Sequence, residues 1–131
     1  MKVYAPSAAA KLSPMDLVEY LSQFAWYDVV TVRSAEDAYM AAGYLAKISS
    51  NRSYVLEIYK CAVVFKRQLK REGPEKEKAY QDMVDAEKLL DLTLKGLDSA
   101  YAAINKAISV HQEAQRELQA IMGRKGVNIQ P

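Results

Sequence analysis

Gly73-Pro74 is the feature that most limits what this chain can become. The four prolines stand at 6, 14, 74 and 131, so the stretches on either side of the pair run uninterrupted by any residue that must break a helix. Glycine suits a left-handed helix cap, and proline cannot continue the preceding helix but can open the next. Two long helical arms joined by a two-residue corner must run antiparallel.

The pattern of each arm supports this. Ser34, with Glu36 and Asp37 in the turn that follows, is close to a capping box and predicts a helix from there to Glu72. Along it, positions 41, 48, 55, 62 and 69 are Ala, Ile, Val, Ala and Leu, a wholly apolar edge. The companion series 38, 45, 52, 59 and 66 is Ala, Leu, Arg, Tyr and Lys, a mixed one. Beyond the corner, Met83, Leu90, Leu97, Ile104, His111 and Leu118 recur every seven residues. Ala86, Ala100, Ala107 and Ala114 stand three places further on. One helix from about Glu75 to Met122 is predicted, roughly 70 Å long.

In that hairpin Ala35 falls opposite about residue 112, and the last turns of the longer arm are left without a partner. Ser13-Pro14 starts a shorter helix in which Leu17, Leu21 and Phe24 share a face, ending near Tyr27. We expect it to cover the open end. Residues 28–32 read as an extended connector, because β-branched side chains are stiff. The expected organisation is an extended arm at 1–12, a single helical domain at 13–123 and a C-terminal tail at 124–131. The fold class is all-α, a long antiparallel helical hairpin with a short N-terminal helix packed at its open end. The alternative is a compact four-helix bundle, with breaks near Ser49 to Ser53, whose side chains compete for backbone hydrogen bonds, and at Gly96.

Composition narrows function more than it defines it. With 18 basic and 16 acidic side chains the net charge is only +2, which argues against a cationic nucleic-acid coat and an acidic DNA mimic alike. One cysteine cannot form an intrachain disulfide. No apolar run is long enough to span a bilayer, and none resembles a secretory core, so a cytoplasmic location is expected.

No pattern carries catalysis. Phosphate-binding glycine loops, a nucleophile elbow and a zinc-protease helix are absent, and His111 is the only histidine. It reads as a packing or capping residue, and Cys61, beside Ala62, Val63 and Val64, as a buried inert thiol. Asp82, Asp85 and Asp91 share a polar side with Lys88 and Lys95 and read as a solvated face. We expect no enzyme activity, no metal and no cofactor.

Two groups remain as candidate contacts. Lys60, Lys66, Arg67, Lys70 and Arg71 form a basic helix end where phosphates could bind. The helix dipole favours cations there in any case. Residues 50–73 carry six basic and two acidic side chains and residues 74–99 four and seven, so the two arms largely neutralise each other when laid side by side. The second group is aromatic. Nine tyrosines against two phenylalanines is an unusual balance, and Tyr39, Tyr44, Tyr54, Tyr59, Tyr80 and Tyr101 suit half-buried contacts with a wet edge. They serve either the hairpin's own rim or a protein partner, and the thin core of a two-helix hairpin favours a homodimer or a partner protein.

TVRSAEDAYMAAGYLAKI opening the first arm, VVFKRQLKRE closing it and DMVDAEKLLDLTLKGLDSAY in the return arm together resemble the small coiled-coil accessory proteins of temperate phages and prophages, often encoded near recombination or replication genes. The resemblance covers about residues 31–108. It implies a viral or mobile-element accessory role in the cytoplasm of a bacterial or phage-infected cell, and transfers no functional residue. The tight corner and low charge density depart from it. The expected function is a non-catalytic helical protein-protein interaction or assembly protein. The alternatives are a DNA-binding recombination or replication accessory using the basic helix end, and an inhibitor of a host defence or regulatory protein.

Overall fold

The computed structural model describes residues 3–25 and 30–124. They form α1 (Pro6–Ala9), α2 (Pro14–Leu21), α3 (Ala35–Glu72) and α4 (Glu77–Arg124), with a 3-10 turn at Pro74–Lys76 between the last two. α3 and α4 are antiparallel and make the body of the molecule, while α1 lies on α3 and α2 on α4.

The corner is built as its residues require. Gly73 takes φ +104°, on the side of backbone space where a Cβ is strained, and Pro74 opens the 3-10 turn that leads into α4. At the other end of α3 the Ser34 hydroxyl accepts the Asp37 amide at 3.1 Å, and the Asp37 carboxylate accepts the Arg33 amide at 3.0 Å. Ser34 thus caps the helix as expected, whereas Asp37 reaches back to the amide of Arg33, one residue before the cap, and not to that of Ser34 as a strict capping box would. Ser13 caps α2 through the Asp16 amide at 3.3 Å.

The core follows the predicted stripes. Ala41, Ile48, Val55 and Ala62 of α3 share one buried cluster with Ala86, Leu90, Leu97 and Ile104 of α4, and Met83 is buried as well. The mixed edge of α3 has a separate use: Arg52 reaches Asp98, Lys66 reaches Glu87 at 2.5 Å, and the Tyr59 hydroxyl donates to Glu87 at 3.4 Å. The basic arm therefore does lie against the acidic one. Both helices are continuous through the places that would have been broken in a four-helix bundle. Asn51, one of the weak helix formers, instead donates its amide to the Phe24 carbonyl at 3.2 Å, so its polar group serves tertiary structure.

Two expectations about the N-terminal segment are corrected. The supposed extended arm contains α1, with Pro6 in its first turn and Ala9 and Ala10 fully buried. The segment also packs over the middle and the corner end of the hairpin rather than its open end. Phe24 meets Tyr54, Lys11 lies over the Phe65 ring, and Pro14, Met15 and Val18 face Asp85, Lys88 and Leu89. The hairpin middle holds the segment through Tyr54, which meets Phe24 and Tyr20, and Asn51, which donates to the Phe24 carbonyl. The connector expected at 28–32 lies partly outside the described residues, and the tail expected at 124–131 does so apart from Arg124, which ends α4.

Candidate functional site

The basic helix end divides into tied and free cations. Lys66 is held by Glu87 across the hairpin and has about a quarter of its side chain exposed; the charge-assisted bond holds its ammonium above the usual lysine range. Lys60 pairs with Glu57 one turn back on the same helix. Arg67, Lys70 and Arg71 are exposed. Spaced at i, i+3 and i+4, they share one sector of the helix at the corner. The same end of the hairpin has an open groove of about 460 Å³ whose lining includes Lys11, Leu12, Phe65, Leu69, Asp82 and Met83 but none of these three cations.

The tyrosines do not form one surface. Tyr39 is 82% exposed, whereas Tyr44, Tyr59 and Tyr80 are half-buried. Tyr54 belongs to an aromatic knot that ties the N-terminal segment to α3: Tyr4, Tyr20, Phe24 and Tyr54 stack in sequence with ring centroids 5.0 to 5.3 Å apart. Its polar groups close a ring. The Tyr4 amide donates to the Tyr20 hydroxyl at 2.9 Å and the Tyr54 hydroxyl to the Tyr4 carbonyl at 2.5 Å. The two phenol oxygens are 2.6 Å apart. A carbonyl can only accept, so the Tyr54 proton is committed to it and Tyr20 must be the donor of the phenol pair. Each proton in the ring then has one acceptor. Burial and the Tyr20 phenol beside it hold the Tyr54 hydroxyl well above the ordinary tyrosine range. The signal in the sequence was Tyr20 within the Leu17, Leu21, Phe24 face, a phenol where an aliphatic residue would suffice.

Other predicted residues are unremarkable in their surroundings. Asp82 and Asp91 pair with Lys78 and Lys95 along α4, the solvated face expected. Cys61 is a free, half-buried thiol packed against the core, and His111 is half-buried. Among the described residues no group of three or more His, Cys, Asp or Glu could hold a metal ion, and no helix is long and apolar enough to cross a membrane.

The feature with most bearing on function is the far tip of α4. α4 has 48 residues and α3 has 38, so the two helices, starting from one corner, end about 15 Å apart. The heptad series buried at Leu97 and Ile104 passes through half-buried His111 and is apolar again in this overhang at Leu118, 50% exposed, with Ile121, 43% exposed, three places on. The N-terminal helices lie elsewhere and leave the overhang bare. The fold thus defines an all-helical hairpin with one arm longer than the other. No family model, curated protein or solved structure matches the chain.

Proposed function

We propose that this is a non-catalytic helical assembly protein, which works by presenting a rigid hairpin whose longer arm docks on another protein. The observation that carries the reading is that the core's heptad series, after His111, is apolar again as exposed Leu118 and Ile121 on the helix tip. The tip is held out by the hairpin, so little conformational entropy remains to be lost on docking. The phage or prophage setting implied by the layout, and a cytoplasmic site of action, belong to this proposal. Sedimentation of fluorescently labelled chain, in buffer and in bacterial lysate, tests it. A shift to a larger species in either medium is expected; a monomer in both refutes the reading.

A second reading is favoured by one observation. Arg67, Lys70 and Arg71 are exposed together at the corner, and three clustered cations are enough for phosphate contact by a DNA-associated accessory. Titration with duplex and single-stranded DNA at two salt concentrations decides it: binding that weakens with salt and is lost in the triple Ala variant supports this use, and no binding at low salt removes it.

A further inference from the structure

We infer that the partner of the α4 tip is the same tip on a second copy of this chain, related by a two-fold axis, with Leu118 of each copy packed opposite Ile121 of the other. The inference rests on the assembly reading and specifies its occupant. The first argument is continuity. Leu118 and Ile121 extend the two heptad series that contain Ile104 and Ala107, of which Leu97 and Ile104 are buried, Ala100 packs on the core, and Ala107 and His111 are half-buried near where α3 begins. A helix laid against the overhang continues an existing antiparallel seam.

Length supplies the second argument. The overhang is the ten residues by which α4 exceeds α3, and two overhangs of equal length placed antiparallel cover one another without either running into the partner's α3. An identical copy meets this condition by construction, and the contact is closed and isologous.

Charge gives the third argument. In this antiparallel arrangement the positions flanking the seam put Glu117 of each copy beside the partner's Arg124, twice by symmetry, and Gln115 beside the partner's Met122. Glu117 has no ion-pair partner within the described chain, and Arg124 donates only to the Ala120 carbonyl of its own helix. Sliding the copies one heptad inward places Glu117 against its own duplicate and drives each tip towards the start of the partner's α3. A parallel arrangement puts Glu117 beside Met122 and forms no ion pair. Only one register satisfies both the apolar and the charged positions.

Ten residues a side make an interface smaller than the roughly 1,600 Å² of a stable complex, so the dimer is weak and dependent on concentration. Sedimentation equilibrium of the full chain from about 5 to 500 µM spans the affinity such a contact supports. The expected result is a monomer–dimer equilibrium. Leu118→Glu with Ile121→Glu abolishes it with helicity and melting unchanged, because both side chains are already exposed. Glu117→Arg sets arginine against arginine at both flanks and raises the dissociation constant about tenfold; Arg124→Glu does the same with glutamates. The double charge swap returns it to within about threefold of wild type. A monomer throughout the range overturns the inference; the assembly reading still stands if the labelled chain shifts in lysate. A dimer indifferent to the tip variants, or one the double swap does not restore, overturns this register and leaves self-assembly intact.

Discussion

Replacing Tyr54 by Phe removes one oxygen and should loosen the entire N-terminal segment. That oxygen donates to the Tyr4 carbonyl and accepts from the Tyr20 hydroxyl, so two hydrogen bonds go while the ring keeps its stacking on Phe24. Tyr20 is only 5% exposed, and water cannot freely replace the lost partner. A hydrogen bond contributes about 1 kcal/mol net, and a buried group left unsatisfied costs about 1–3 kcal/mol. The expected loss is about 2 kcal/mol in urea unfolding, equivalent to a melting point lower by about 6–10 °C in a chain of this size.

The pH dependence gives a sharper form of the same test. The folded state holds the Tyr54 proton more tightly than the unfolded state does, so its contribution is complete below the unfolded value of about 10 and declines as pH rises beyond it. The stability gap between wild type and Tyr54→Phe should therefore be flat from pH 7 to 9 and narrow above about pH 10. Limited proteolysis within residues 3–25 should accelerate in the variant at neutral pH. A loss below about 0.5 kcal/mol, with proteolysis unchanged, would mean that the hydrogen-bonded ring does not hold this segment down.

Glu87→Gln should cost about 1 kcal/mol in urea unfolding, because this half-buried carboxylate serves both Lys66 and Tyr59, whereas Asp98→Asn, more than half exposed opposite Arg52, should cost no more than about 0.3 kcal/mol. The reverse order would refute the assignment of the hairpin's cross-links. Gly43 lies within α3 with nothing within 4 Å of an added Cβ, so Gly43→Ala should raise stability by about 0.5–1 kcal/mol, read from the shift in urea midpoint. Gly73→Ala should do the opposite by about 1–2 kcal/mol, since alanine is strained at φ +104°.

Local chemistry explains why the hairpin was legible. The Ser34 cap, the Gly73-Pro74 corner and the seven-residue spacing are each written within a few neighbouring residues, and each is present in the structure where it was expected. The register was nearly so. Arg52 was expected opposite about residue 95 and meets Asp98, a difference that long side chains can span. The division of the basic run was not legible, because spacing along one helix says that Lys66 and Lys70 are neighbours but not that Glu87 reaches only the first.

The dock of the N-terminal segment was misread for an instructive reason. Matching uncovered surface to unused apolar surface sent the short helix to the open end, as though any apolar face suited any other. Tyr4, Tyr20 and Tyr54 are separated by 16, 34 and 50 residues in their pairings, and no local pattern records that their hydroxyls can close a ring. Aliphatic burial is non-directional, so the overhang and the hairpin middle compete on nearly equal terms for α2. Directional bonds break the tie, because only the middle supplies a phenol at Tyr54 and an amide at Asn51 for the arriving chain. The same choice leaves Leu118 and Ile121 uncovered. Dismantling the knot should therefore weaken the segment's hold on the middle without moving it to the tip, so Tyr54→Phe should leave the sedimentation behaviour of the α4 tip as it is in wild type. A Tyr54→Phe chain that lost self-association would show that the two regions are coupled, and the overhang could no longer be treated as an independent docking surface.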